Sequence, residues 1–347
     1  MSSSFIRVAA VLLLVPVFTV ITAAAENYAV FKSTDRGRSW IRSDIGMHAG
    51  SRINAFGSLD GTLFAGTDSG IFISRDEARS WRPATGMASG RILSFATLER
   101  KVFAGTDGSG MLVSADEGKS WAPTAASPSK KLRCLLAHRD RVYAGTDAEG
   151  VFVSGDGGET WTALNREFPE HAQVFALVVA ADRLFAALYS KGLYAWNEQE
   201  QRWRKAGSVL PLVLAGSADT LIAGHNPGGL HWSADVGVSW SKAMAVLSGQ
   251  LAPVLPNEAA ELSNEVPVWE LASNDGMAFA GASNGIYFSE DRGRTWVRAR
   301  TGLPAESPGI SFLLKERFVL AGALIKNVDG KPDSTEKQSQ PFFPEPK

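Results

Sequence analysis

An eight-residue motif ending in tryptophan returns along this chain at a nearly fixed interval, and that interval limits what the chain can fold into. Five copies read Ser-x-Asp-x-Gly-x-Ser/Thr-Trp: Ser33–Trp40, Ser114–Trp121, Ser154–Trp161, Ser233–Trp240 and Ser289–Trp296. A sixth, Ser74–Trp81, carries Ala78 in place of the glycine, and a degenerate seventh ends at Trp203. Successive tryptophans lie 41, 40, 40, 42, 37 and 56 residues apart. A period of about 40 residues marks a repeat architecture.

Each unit also holds short apolar runs separated by Gly, Asp and Ser, which read as strands and turns. One run ends in a small-residue pair, as in Leu63–Gly66, Val102–Gly105 and Val142–Gly145. Nine residues before the first alanine of each pair stand Phe56, Phe95, Leu135, Leu177, Leu214, Leu271 and Phe312, all large and apolar. Four strands in about 40 residues make a propeller blade. Six complete units fall at 52–83, 91–123, 131–163, 173–205, 211–242 and 267–298. Residues 310–323 supply two inner strands without a motif, and residues 27–42 supply a third strand and a motif without inner strands. Joining them predicts an all-β, seven-bladed β-propeller of four-stranded blades, in which the two chain ends share one blade. Such a ring leaves no exposed sheet edge at its closure.

The segments outside the repeat have their own signatures. Residues 1–25 read as a signal peptide: Arg7, an apolar stretch over 8–22, and Ala23, Ala24 and Ala25 before Glu26. The stretch is short and contains Pro16, which favours cleavage over an uncleaved anchor. The expectation is an exported protein with no membrane span after cleavage, a propeller domain over 26–326, an inserted loop at 241–266, and a polar, Pro-rich disordered tail at 327–347. Cys134, the single cysteine, has no partner for a disulfide and reads as a buried inert thiol. The formal net charge of −1 gives no electrostatic case for nucleic acid or an anionic membrane surface.

The motif resembles the Asp-box, or bacterial neuraminidase, repeat. Asp accepts backbone N–H bonds inside a tight turn, Gly permits positive φ, Ser or Thr adds a hydroxyl, and Trp covers the hairpin. A feature copied from blade to blade is structural. Asp35, Asp76, Asp116, Asp156, Asp235 and Asp291, with Trp40, Trp81, Trp121, Trp161, Trp240 and Trp296, are therefore assigned to turns, not to catalysis or metal binding. The turn with Ala78, and the copy before Trp203 with Trp196 and Glu198 at its Ser and Asp positions, are expected to be less well formed.

Sialidases carry the same boxes on a six-bladed ring, with an arginine triad and a Tyr/Glu pair. The nearest approach here to their Arg-Ile-Pro motif is Arg52, Ile53 and Asn54, and no catalytic residue carries across. Xyloglucanases, which also resemble this chain, need two propellers to build their cleft. A stand-alone exported ring looks most like the photosystem II stability and assembly factor family, whose members are non-enzymatic binding proteins.

Candidate binding residues are those that break the repeat. Arg52, Arg91 and Lys131 occupy one position in three consecutive blades, with Lys130 and Arg133 beside them. Asp68, Asp107 and Asp147 occupy the second turn of the same blades. They form either a docking rim or a set of surface ion pairs in which Asp caps its own turn. On the opposite side, Trp269 and Glu270 begin an innermost strand near His225, Asn226 and the insertion. Trp269 either stacks on a sugar ring or packs between blades. The leading reading is a non-catalytic propeller with a protein partner. The alternatives are a glycan-active enzyme, which needs a second carboxylate near Glu270, and a carbohydrate-binding propeller with Trp269 exposed. No cofactor or metal is expected.

Overall fold

The computed structural model describes residues 27–85, 90–225, 228–245, 266–274, 276–304 and 307–325. The signal segment, Asn226, residues 246–265 of the insertion and the tail lie outside the described residues. Within them the chain forms seven antiparallel sheets arranged as the blades of a propeller. Blade 1 shows the plan: Ile53–Leu59 innermost, then Thr62–Thr67, Gly70–Ser74 and the two-residue outer strand Arg82–Pro83. Blades 2 to 6 follow in chain order. Blade 7 pairs Asn27–Ser33 with Val319–Ile325, in register from Asn27 opposite Ile325 to Ser33 opposite Val319. The expected closure by the two chain ends is the observed one.

The second strand of each blade has neighbours on both faces. Every residue of Thr62–Thr67 is buried, so the run is continuously apolar instead of alternating. The core is accordingly split into seven clusters, each straddling two adjacent blades. Phe64 and Ile71 of blade 1, for example, pack with Ile92, Val102, Leu112 and Trp121 of blade 2. Burial of each such side chain contributes about 1.5–3 kcal/mol, so the ring is held by its seams. The small pair marks the closest approach: a Cβ on Gly66 would lie 2.6 Å from Ile92 Cγ2.

The box turns are closed by their own side chains. In the copy ending at Trp121, Asp116 accepts bonds from the Ser120 N–H (2.9 Å) and hydroxyl (2.7 Å) and from the Ser114 hydroxyl (2.8 Å). Ser114 Oγ in turn accepts the Gly118 N–H at 2.8 Å. These bonds, led by the Ser120 hydroxyl, hold the Asp116 carboxyl down at about 2. The glycine is demanded twice. Gly118 has φ +80°, and a Cβ there would lie 2.1 Å from Phe64 of the preceding blade.

The turn at Ala78 was expected to be loose and is not. Ala78 takes φ 67° and keeps the full bond set, with its N–H on Ser74 Oγ at 2.9 Å and the Ser80 N–H on Asp76 at 2.9 Å. The seam explains the room for its methyl. Phe64, Phe103, Phe185 and Phe279 hold one position in their second strands, and blade 7 has Leu320 there, in the same cluster as Ala78. The degenerate turn before Trp203 does differ. There Asn197 Oδ1 accepts the Glu200 N–H at 2.9 Å, and Glu198 binds the Trp196 indole at 2.7 Å. The first residues of the insertion add a fifth strand, Met244–Ala245, parallel to Thr295–Arg298 on the outside of blade 6.

Candidate functional site

The turns between second and third strands, and the entries to the innermost strands, share one face of the ring. On that face the basic and acidic residues of blades 1 to 3 form a ladder. Asp68 of blade 1 takes a two-pronged contact from Arg91 of blade 2, at 2.7 and 3.3 Å, and a third bond from Asn54 at 2.8 Å. Asp107 of blade 2 pairs with Lys131 of blade 3 at 3.0 Å and with Arg91 at 3.7 Å. Burial works to raise Asp68, but the bonds from Arg91 and Asn54 outweigh it and its carboxyl lies below the usual range. Lys130 contributes its carbonyl, which accepts the N–H groups of Gly108 and Gly110.

The aspartates do not cap their own turns, as one sequence reading had it. Threonine does: the Thr67, Thr106 and Thr146 hydroxyls donate to the carbonyls of Gly70, Gly110 and Gly150 at 2.9, 2.7 and 2.8 Å. This frees each aspartate to reach the basic residue of the next blade. The ladder therefore has a direction, and both its ends are irregular. Blade 4 has Gln173 at the basic position, so Asp147 turns back to Arg133 of its own blade. Arg133 also lies with Cζ 4.4 Å from the Phe175 ring centre. At the other end, blade 7 has Leu324 where blade 1 has Asp68. Among the described residues no carboxylate forms an ion pair with Arg52, whose charge still acts on Asp68 of its own blade. The Arg52 Cζ sits 5.8 Å from the Tyr28 ring centre, and its Nε is buried without a hydrogen-bond partner.

In the middle of the ring is a cavity of ≈ 170 Å³. Its wall is built by one position per blade: Asn54, Leu93, Arg133, Phe175, Leu212, Trp269 and Ile310. Each stands two residues before the apolar column read from the sequence. In six of the blades the strand register slips at that residue, for example between Ile53 and Ala55 and between Val268 and Glu270. A bulge turns the extra residue out of the ladder and re-aims its side chain, here into the central space. Arg52, Arg91, Val213 and Glu270 complete the wall.

Trp269 is thus a half-buried cavity residue, not one packed between blades. Sequence analysis found Arg133 and Trp269 and missed Asn54, Leu93, Phe175, Leu212 and Ile310. The signal was available as a column of the repeat that mixes polar, charged, aliphatic and aromatic residues.

Glu270 occupies the next column, whose other members are Ala55, Ser94, Cys134, Ala176, Val213 and Ser311. That column points into the seams. Ser94 Oγ and Cys134 Sγ stand 2.6 and 2.4 Å from where Cβ atoms on Gly105 and Gly145 would lie, and the Ser311 hydroxyl donates to the Ile53 carbonyl at 2.9 Å. Only blade 6 places a carboxyl here. The seam it enters lacks a branched side chain as well, because Gly309 stands where Ile53, Ile92, Leu132, Val174 and Val268 stand in five other blades. Glu270 remains open to the cavity and is otherwise enclosed by protein. Burial pushes its carboxyl up to about 8, against a partial offset from the Leu271 N–H. Among the described residues no ion pair reaches it.

Two other titratable sites lie outside the cavity wall. Burial raises the Cys134 thiol to about 12, which fits an inert thiol. His225 and His231 face each other edge to face with ring centres 4.8 Å apart, and burial draws His225 down to about 4. Among the described residues no group of three or more His, Cys, Asp or Glu is placed to hold a metal ion, and no helix is long and apolar enough to cross a membrane.

The sequence matches no protein-family model and no curated protein. Solved structures of the same shape are numerous. YCF48 from Cyanidioschyzon merolae superposes with a TM-score of 0.58 at 17% identity, over 79% of this chain and 94% of that one. A structure of YCF48 bound to D1 peptide gives 0.59 at 17% identity, over 81% and 94%. The GH74 enzyme of Niastella koreensis gives 0.61 at 14% identity, over 83% of this chain but 53% of its own. At these identities the likeness is one of fold.

Proposed function

We propose that this chain is an exported, non-catalytic propeller that binds another protein through the face bearing the central cavity, as an assembly or scaffolding factor. The observation that carries this reading is the ring of seven cavity-facing residues, six of them turned inward at a strand bulge. The scaffold is repeated, yet the side chains delivered to the cavity are of six types across seven blades, with only leucine used twice. A position placed in the same way around the ring and filled with polar, charged, aliphatic and aromatic residues is a recognition surface, not a packing requirement. The wall is divided between guanidinium groups on blades 1 to 3 and, Glu270 apart, apolar or aromatic groups on blades 4 to 7, the composition of a protein-docking patch. A similar fold was solved with a bound peptide, in YCF48 with D1 peptide, which supports the same use here.

The cavity does not favour glycoside hydrolysis. That chemistry needs two carboxyl groups about 5–9.5 Å apart, and Glu270 is the one carboxylate in the described wall.

A pull-down from the exported fraction tests the proposal, comparing the wild-type chain with a Phe175→Ala/Trp269→Ala variant of confirmed fold. A protein enriched by the first and lost by the second is the expected result. Identical recovery by both would refute binding through this face. Turnover of a glycan that disappears in Glu270→Gln would replace the proposal with the enzymatic reading.

A further inference from the structure

Two irregularities of the ring meet at its closing blade. On one side of blade 7 stands Arg52, the basic residue that the one-way ladder leaves without a carboxylate. On the other stands Glu270, a carboxyl in a seam column that elsewhere holds Ala, Ser, Cys or Val. Blade 7 itself offers Pro308, Ile310 and Leu324 at the corresponding positions, and Ser311, whose hydroxyl already donates to the Ile53 carbonyl. Among the described residues the cavity wall on either side of blade 7 therefore holds a guanidinium and a carboxyl that form no ion pair, with Trp269 and Phe175 in the same wall.

We propose that this sector binds a carboxylate group, held by the Arg52 guanidinium and the Glu270 carboxyl, with the apolar part of the guest against Trp269 and Phe175. The inference rests on the protein-binding reading only in taking the cavity as the site, and it names the chemistry recognised there. A guanidinium whose buried Nε–H has no acceptor loses free energy until an acceptor arrives, and its planar fork matches a carboxylate. A carboxyl that carries its proton is a donor to an anion, whereas an ionised one repels it. Burial favours the protonated form of Glu270 at neutral pH.

The carboxylate whose charge Arg52 acts on, Asp68, is itself held by Arg91 and Asn54. On the strands packed directly against Val268–Ser273, which are Val213–Ser217, Thr220–His225, Ala278–Ala282 and Gly309–Leu314, the one titratable side chain is His225, uncharged because burial holds it near 4. Across the cavity, Arg91 and Arg133 are already engaged by Asp68, Asp107 and Asp147. The ≈ 170 Å³ of the cavity suits one terminal residue or a small acid. A free acid and the last residue of a partner peptide present the same group, so both sources belong to the test.

Titration calorimetry on the full chain uses four probes: 3-phenylpropionate, its amide, an octapeptide ending in a phenylalanine carboxylate, and the same peptide amidated. Each is measured at pH 6.5 and pH 9.5 against wild type, Arg52→Gln and Glu270→Gln, with melting curves to confirm that the variants fold. At least one acid binds at pH 6.5, and its amide binds at least about 10-fold more weakly. Arg52→Gln loses about 10-fold to 100-fold. Wild-type affinity falls about 10-fold or more by pH 9.5 as Glu270 ionises, and Glu270→Gln, a permanent neutral donor, removes that fall. Equal binding of acid and amide, no binding of either acid, an unaffected Arg52→Gln, or the same pH response in wild type and Glu270→Gln would each overturn the proposal. Binding of phenylpropionate with an inert peptide would sustain it and count against the protein-binding reading. A partner captured in the pull-down alongside indifference to the carboxylate would do the reverse.

Discussion

The outer rim and the inner ring of this propeller are built from the same repeat and obey opposite rules. On the rim, Ser, Asp, Gly and Trp recur because the turn closes through its own side chains and presses on the preceding blade. Any change there must satisfy two sets of contacts at once. On the ring, a bulge in the innermost strand exports one side chain per blade into a cavity, where it has few packing obligations. Constraint keeps the rim uniform, and release from constraint lets the ring diversify. Ala78 shows how strict the rim is. The one box that abandons glycine faces the blade with Leu320, whereas Gly37, Gly118 and Gly158 face phenylalanine and Gly293 faces Ile222.

Five predictions bear on this contrast, from the largest expected effect to the smallest. Trp296→Ala on the rim removes a fully buried indole and should cost about 3–5 kcal/mol in chemical denaturation. Leu320→Phe should restore the ring-to-methyl clash that the rim avoids and cost about 1–3 kcal/mol by overpacking. Adding Ala78→Gly to it should recover most of that loss, measured as a double-mutant coupling. If the two changes are additive, the pairing of Ala78 with Leu320 is coincidental.

Glu270→Gln should stabilise the protein in alkaline solution. The folded state keeps a proton to about pH 8 that the unfolded chain releases near 4.5. Wild-type stability therefore falls as pH rises through that window and is level above it. The glutamine variant should gain about 1–3 kcal/mol at pH 9 and little at pH 4, read from melting curves. Asp116→Ala breaks one box and should cost about 1–2 kcal/mol. Because its folded-state carboxyl lies near 2, that contribution is present above about pH 4 and fades as pH falls towards 2. Trp269→Ala on the ring should change stability by less than about 1 kcal/mol while abolishing partner capture. A stability loss as large as that of Trp296→Ala would show that the ring is structural after all.

The repeat was legible because its signals are local. A Trp every 40 residues or so, a small pair, and a large apolar residue nine positions earlier each report a contact that every blade makes in the same way. The closing blade was legible by subtraction, since 310–323 lack what 27–42 possess. The site was legible only in part. Arg52, Arg91, Lys131 and the three aspartates were visible as a set, but which carboxylate each cation would meet depends on the neighbouring blade. Phe175 and Leu212 look like ordinary strand residues in the sequence. The register slip that turns one residue of the strand into the cavity leaves no mark in composition.

The sequence by itself determined the all-β ring, the number of blades and the role of the box residues, because these follow from hydrogen bonds and packing repeated within a 40-residue window. The tertiary structure alone decided which side chains share the cavity, why Arg52 is left unpaired and why Glu270 holds its proton. Those outcomes depend on contacts between blades and on the enclosure of one carboxyl, and both exist only once the ring has closed.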